Sequence, residues 1–304
     1  WEQLTNDPGK PLINKNVSSL YPPGSIFKII AALTALELGF NPKHNIICKG
    51  KTKLGRRTYH CWKKEGHGQM NLYKAIVQSC NIYFYNLVKE IGINPIVEMA
   101  KKFGLSTPTL LPIQGEKTGL IANKDWKNKN LKQPWVVGDS YNAVIGQGYN
   151  LVSNTQLAVM ISRFVSGKNI FPQIISNDNK IYFNDLAIKK KNRDFIISAM
   201  NDVTNSKKGT AYWSRISKKK YRMGGKTGTS HVISIDHSKD IKQKDVEFKK
   251  RNHGLFVGYA PINNPRYATS VIIEHGGSGS ASAAPVARDL LYYTQKKLAN
   301  NTAF

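Results

Sequence analysis

The sequence predicts an α+β fold: an antiparallel sheet flanked by helices, with an all-helical subdomain inserted. Three observations predict it. An apolar helical run, Ser25 to Leu38, lies near the start. A helical middle follows, interrupted by glycine and proline. The last third then switches to short β-branched or aromatic runs bounded by Gly and Pro, and ends in one more helix. With 40% hydrophobic and 10% aromatic residues, the 304-residue chain has the means to build a core. Residues 1–304 read as one domain. Its helical subdomain covers roughly 45–150, and the sheet with its flanking helices comes from 1–44 and 151–304.

In chain order, residues 1–24 read as a loop ending in Tyr21-Pro22-Pro23-Gly24. The buried helix 25–38 follows and is stopped by Gly39 and Asn41-Pro42. Residues 44–70 carry Cys, His, Gly and Lys without a period and read as irregular. Helix is predicted from Asn71 to about Glu90 and from Asn94 to Phe103. The stretch 104–140, with Pro108, Pro112, Gly115 and Pro134, reads mostly as loop, and helix returns from Thr155 to Val165. Strands are expected over Tyr221–Val232, Gly254–Tyr259 and Tyr267–Ile273, and the closing helix over Ala281–Ala299. Residues 233–252 are polar and Lys-rich and read as a mobile loop.

Ser25 and Lys28 form Ser-x-x-Lys at a helix start, one turn apart on one face. A serine hydroxyl is a weak nucleophile and needs a base beside it. Lysine serves only if burial or another cation lowers its pKa, and Ile26, Phe27, Ile29 and Ile30 supply an apolar setting. The helix N-terminus suits an oxyanion. Alone the pattern is common, since a capping serine followed by a surface lysine reads the same way. Two further patterns change that reading. Ser79-Cys80-Asn81 places Ser-x-Asn in a helical region. Lys226-Thr227-Gly228-Thr229 follows Gly224-Gly225 in a strand, where missing side chains let a substrate backbone approach. A second Lys-Thr-Gly, Lys117-Thr118-Gly119, lies in a Pro/Gly-rich loop with no strand pattern and is set aside.

These three patterns in this order mark penicillin-binding proteins and serine β-lactamases. Tyr21-Pro22-Pro23-Gly24-Ser25-Ile26-Phe27-Lys28 closely resembles the active-site segment of class B penicillin-binding proteins. Gly146-Gln147-Gly148 followed by Asn154-Thr155-Gln156-Leu157-Ala158 resembles that family's mid-domain segment. Tyr59, Trp62-Lys63-Lys64 and Gly66-His67-Gly68 resemble its elongation-type branch, penicillin-binding protein 2. The resemblance covers essentially the whole chain. It departs at Asn81, where elongation-type members often carry Asp.

The resemblance implies a penicillin-binding/serine β-lactamase-like fold and a D,D-transpeptidase that cross-links peptidoglycan stem peptides. Ser25 attacks the D-Ala-D-Ala carbonyl and Lys28 takes its proton. Ser79 relays a proton to the leaving amine, and Asn81 holds the substrate amide and orients Lys28. Lys226 supplies positive potential, Thr227 and Thr229 bind the terminal carboxylate beside Gly228, and the N–H groups of Ser25 and Thr229 form the oxyanion hole. It further implies acylation by β-lactam antibiotics and a RodA-type glycan polymerase with elongation scaffold proteins as partners. The implied place is the periplasmic face of the bacterial inner membrane. The family's N-terminal membrane helix and pedestal are expected to lie outside this chain, which has no initiator Met and reads as a domain cut from a longer one.

Three cysteines leave at least one thiol unpaired in an exported protein. Cys48, Cys61, His67 and Cys80 make a Cys3His set fit for a structural Zn2+, with His60 competing for the fourth place. Some elongation-type members hold a metal in this loop, and Cys61, His67 and Cys80 fall on matching positions. The rival reading is a Cys48–Cys61 disulfide with Cys80 as a buried thiol. No cofactor is expected for catalysis.

The 45 basic residues outnumber 19 acidic ones, a formal charge of +26. Either an anionic partner or a Lys-rich compositional habit explains that. No helix-turn-helix, zinc-finger or RNA-binding signature accompanies the charge, so nucleic acid is not expected. No apolar run approaches the roughly 18 residues of a membrane span, and the start lacks a signal-peptide pattern. Rival functions stay within reach of the same motifs. A D,D-carboxypeptidase replaces the acceptor amine by water. A serine β-lactamase needs a deacylating acid, for which Glu116 is the nominee. A β-lactam sensor is acylated without turning over.

Overall fold

The computed structural model describes residues 1–7, 9–175, 181–232 and 245–301, with 298–301 in backbone only. Most of the expected loop 233–252 lies outside the described residues, and of its remainder Phe248–Lys250 forms a 3-10 turn. Two short helices, α1 (Glu2–Asn6) and α2 (Lys15–Ser18), occupy the start where loop was expected. A 3-10 turn over Gly24–Phe27 then runs into α3 (Lys28–Glu37). Ser25 therefore sits one turn ahead of the α-helix rather than on it. Gly24, with φ +55°, cannot be α-helical, and the two prolines before it have no N–H to start one. Every residue from Lys28 to Leu36 is buried, which makes α3 the central post of the core.

The segment expected to be irregular holds two hairpins. β1 (Ile46–Cys48) pairs with β4 (Gly68–Met70), and between them β2 (Lys51–Leu54) pairs with β3 (Arg57–His60). Strands of three or four residues are too short to show alternation. The predicted helix 71–90 is two helices, α4 (Leu72–Val77) and α5 (Asn81–Ile91), broken where Ser79 takes a left-handed φ of 55°. α6 (Asn94–Lys102) is as expected. The predicted loop 104–140 contains α7 (Lys124–Leu131) and α8 (Val137–Val144), locked together by a buried Lys127–Asp139 ion pair of 2.7 Å. α7 shows no apolar stripe, so no helical period marked it. The stretch expected to be all-helical thus holds helices α4 to α8 together with two pairs of short strands.

α9 (Asn154–Ser166) starts at a Ser153/Gln156 capping box. α10 (Lys190–Asn205) is a helix of 16 residues that sequence pattern did not reveal. The sheet comprises β5 (Gly224–Ser230), β6 (His253–Ala260) and β7 (Tyr267–Ile273), antiparallel in the order β5-β6-β7. α11 (Ala284–Asn301) follows a π-turn over Gly279–Ala283. The central strand β6 is buried on both faces. Leu255, Val257 and Tyr259 join the core of α3, α5, α9 and α10, while Phe256 and Ala260 face Ala283, Ala287 and Leu291 of the closing helix. The result is helix, sheet and helix in three layers, with β5 as the edge strand beside the Ser25 turn. Among the described residues, no helix is long and apolar enough to cross a membrane.

Tyr259 ties the layers together. It is fully buried, and its hydroxyl donates to Asn201 Oδ1 on α10 at 2.7 Å. Tyr259→Phe leaves that oxygen short of a donor, so urea unfolding of the variant should show a loss of about 1 kcal/mol with an unchanged denaturant slope.

Candidate active site

The site forms where the Ser25 turn, the Ser79 turn and the β5 edge converge. Glycines set the spacing. A Cβ on Gly24 would lie 2.4 Å from Thr229 O, one on Gly146 would lie 2.1 Å from Gly24 O, and one on Gly228 would lie 2.9 Å from Pro23 O. Three backbones are therefore in direct contact, clamped by the Gly24 N–H donating to Gly146 O at 2.9 Å. This stacking presses the peptide preceding Ser25 against the backbone of Thr229. Gln147, between left-handed Gly146 and Gly148, donates from Nε2 to Thr229 O at 2.8 Å.

The α4–α5 break supplies the opposite wall. Lys28 and Lys226 are both wholly buried, and both reach Ser79 Oγ, at 3.2 and 3.0 Å. Lys28 Nζ also donates to Ser79 O at 2.8 Å and to Asn81 Oδ1 at 2.6 Å, while Lys226 Nζ donates to Thr227 O at 3.2 Å. Asn81 in turn donates from Nδ2 to the His60 carbonyl at 3.1 Å, a bond that Asp could not make. Burial lowers the Lys28 pKa to about 8, although charge on Cys61 opposes the shift. Burial and then the Lys28 charge push Lys226 well below the usual lysine range. Two ammonium groups sharing one hydroxyl in a dry site cannot both stay charged easily, so the pair holds one proton more readily than two.

These walls enclose a cavity of about 300 Å3 lined by Ser25, Ser79, Asn81, Thr227, Gly228 and Thr229. Six of the eight sequence-predicted catalytic and substrate-binding residues thus line one cavity, and Lys28 and Lys226 lie buried behind its wall, joined to it through Ser79. Sequence reasoning missed Thr210, whose hydroxyl bonds that of Thr227 at 2.7 Å, and it missed the lining residues His231, Ser278 and Ser280. The last two lie in Gly276-Gly277-Ser278-Gly279-Ser280, a run whose composition could have flagged them; Thr210 gives no such signal. A second cavity of about 620 Å3, lined by Tyr59, His60, Trp62 and Asn142, joins the first at Asn81 and Gln147. The second Lys-Thr-Gly is elsewhere, with Gly119 packed on Leu151 and Thr118 O bound by Gln156. Glu116 is tied to the Thr109 N–H at 2.7 Å and does not line the Ser25 cavity.

Beneath the Ser79 turn, Cys48, Cys61, His67 and Cys80 converge, with one ligand atom from each within 4.8 Å of the others. His67 Nδ1 lies 3.6 Å from Cys48 Sγ and 3.4 Å from Cys61 Sγ. All three cysteines are free thiols, so the Cys48–Cys61 disulfide is not formed. His60 is not in the cluster and lines the second cavity instead. Close backbone approaches at Gly50 and Gly66 fold the hairpins so that these groups meet. Hydrogen bonding shared among the three sulfurs pulls the Cys48 and Cys61 pKa values down and pushes that of Cys80 up. Three sulfurs and an imidazole that close, in a buried pocket, fit a tetrahedral divalent cation.

The family described as penicillin binding protein transpeptidase domain matches residues 2–292. The peptidoglycan D,D-transpeptidase MrdA of Haemophilus influenzae is 32% identical over 98% of this chain and 48% of its own length. The chain spans about half the length of the curated relatives it matches. Penicillin-binding protein PBP2 of Helicobacter pylori, solved in complex with MreC, superposes with a TM-score of 0.87 at 30% identity, covering 98% of this chain and 54% of that one. A structure described as the coordination of polymerization and crosslinking by a peptidoglycan synthase complex gives 0.80 at 25% identity, over 94% of this chain and 48% of that one.

The buried lysine pair has a direct signature. A lysine with a lowered pKa loses its proton as pH rises through that value while ordinary lysines stay charged. Lysine-selective 13C NMR should therefore show a side chain titrating near pH 8, absent from Lys28→Met.

Proposed function

The chain belongs to the penicillin-binding protein transpeptidase family, and from that premise we propose that it is a D,D-transpeptidase acting through an acyl-enzyme on Ser25. The observation that carries this reading is the convergence of Ser25, Lys28, Ser79, Asn81 and Lys226 around one cavity, with Ser79 Oγ within bonding reach of both lysines.

The chemistry follows from the charge problem described above. A donor stem peptide brings a terminal carboxylate to the hydroxyls of Thr227 and Thr229 and the backbone of Gly228. That anion favours the charged form of Lys226, which leaves Lys28 as the neutral amine. Ser25 Oγ attacks the penultimate D-Ala carbonyl and its proton passes to Lys28 Nζ. The N–H groups of Ser25 and Thr229 hold the oxyanion. Collapse breaks the peptide bond, and the departing D-Ala nitrogen takes a proton through Ser79 Oγ, replenished from the lysine pair. The amine of a second stem then attacks the Ser25 ester and gives its proton back through the same groups, and the cross-link leaves with Ser25 restored. A β-lactam enters by the first half-reaction and keeps its leaving amine attached. We propose as partners peptidoglycan stem peptides, β-lactams, a RodA-type glycan polymerase and an elongation scaffold protein. The proposed place of work is the periplasmic face of the bacterial inner membrane. The PBP2–MreC complex and the synthase complex among the structural neighbours support the two protein partners.

We also propose that Cys48, Cys61, His67 and Cys80 hold a structural Zn2+. A bound ion supplies cross-linking of the two hairpins to the first residue before α5, not catalysis. Cys80 stands between Ser79 and Asn81, so its anchoring fixes both motif residues.

Two measurements check these readings. Fluorescent penicillin with intact-mass analysis should add one adduct to the parent chain and none to Ser25→Ala; equal labelling of the two would remove Ser25 from its role. Metal analysis of the purified chain should return about one zinc per chain, falling in Cys80→Ser along with the melting temperature. Less than about a third of an equivalent in the parent would exclude the ion.

A further inference from the structure

On the far side of the domain, the C-terminal end of α9 and the start of α10 enclose a cavity of about 460 Å3 that shares no residue with the Ser25 site. Two arginines line it. Arg163 is only 8% exposed, and its Nε and Nη1 donate to the carbonyls of Ile170 at 3.1 Å and Lys102 at 3.0 Å. Among the described residues no carboxylate pairs with it. Arg193 packs its Nη1 end against Gly167, where a Cβ would come within 1.6 Å of Nη1. Its Nε is buried without a partner among the described residues; Asp194 approaches its Nη2 at 3.9 Å, and its charge helps hold the Asp185 carboxyl below the usual range.

A buried guanidinium without a counter-ion is costly, and a fold retains one where something else supplies the charge. The local balance shows how much is missing. Asp194 is taken by Lys190 at 2.6 Å, and Asp185 on the rim is taken by Lys168 at 2.7 Å. Around the cavity four cations, Arg163, Arg193, Lys168 and Lys190, thus share two carboxylates, Asp185 and Asp194, which leaves an excess of two positive charges. Two uncompensated positive charges match a phosphate group, which carries about −1.5 to −2 at neutral pH. The guanidinium fork suits tetrahedral oxyanions, and Arg193 is held in place by its contact with Gly167 before any ligand arrives.

We propose that this cavity, walled by Arg163, Arg193, Lys190 and Ser166, is a binding site for a phosphate-bearing ligand. Free phosphate and the phosphomonoester headgroup of phosphatidic acid present the same chemistry, and the test separates them. Isothermal titration of the full 304-residue chain with inorganic phosphate, against chloride at equal ionic strength, should show one saturable site. Arg193→Met should weaken it by about tenfold or more, as expected for a charge-assisted bond, with penicillin acylation of Ser25 unchanged. If Arg193→Met does not fold, Arg193→Lys, which keeps the charge but loses the fork, should still weaken it by about threefold or more. Vesicles containing phosphatidic acid that sediment with the parent but less with the variant identify a lipid source, and no sedimentation identifies a soluble phosphate. Phosphate binding no stronger than chloride, or equal in the parent and the arginine variant, overturns the proposal.

Discussion

Two lysines buried against a single serine hydroxyl are the constraint on which the rest of this structure depends. Lys28 and Lys226 arrive from different layers, one from the central helix α3 and one from the edge strand β5. Among the described residues neither has a carboxylate partner; Ser79, Asn81 and backbone carbonyls receive their bonds instead. Hydrogen bonds of this kind satisfy donors without cancelling charge, so burial still drives both amines toward the neutral form. A carboxylate beside them favours the ammonium forms and raises both pKa values. The site gains a reactive amine because its electrostatics are left incomplete, and an anionic substrate completes them.

Holding that arrangement requires rigidity around it. The Gly24, Gly146 and Thr229 backbones touch at distances that no side chain could share. Ser79 keeps a left-handed backbone between two helices, a conformation that persists only where its surroundings determine it. The cysteine–histidine cluster beneath the turn is one such surrounding, since Cys80 is both the N-cap of α5 and a member of the cluster. Asn81 adds a bond to His60 that ties the turn to β3. Amide in place of carboxylate at this position donates on one side and accepts on the other, and so links the hairpin wall to Lys28.

The arginine cavity behind α9 and the lysine pair behind Ser25 illustrate opposite uses of an unpaired buried cation. The lysines respond to burial by giving up protons, which makes them bases. Arginine cannot do so in practice, because its pKa remains far above neutrality even when lowered. An unpaired buried arginine therefore stays charged, and its surroundings hold a lasting attraction for an anion.

The motifs that carry chemistry were legible in the sequence because each is short and local: Ser25 with Lys28, Ser79 with Asn81, and Lys226 to Thr229 each fit within four residues. The three strands of the main sheet were legible too, since apolar runs between glycines and prolines report burial directly. What remained hidden had no local signal. α7 is polar all round, the hairpin strands are three or four residues long, and α10 begins in a run of charge. Thr210 enters the site through a single hydroxyl bond to Thr227. The sequence alone determined which groups could react, because chemistry resides in residue type and near spacing. Only the tertiary structure decided that Lys28 and Lys226 share one hydroxyl, that His67 rather than His60 joins the sulfurs, and that Arg163 and Arg193 meet at one cavity where cations outnumber carboxylates. Those facts are distances between segments far apart in the chain, and they arise only when burial of the core brings the segments together.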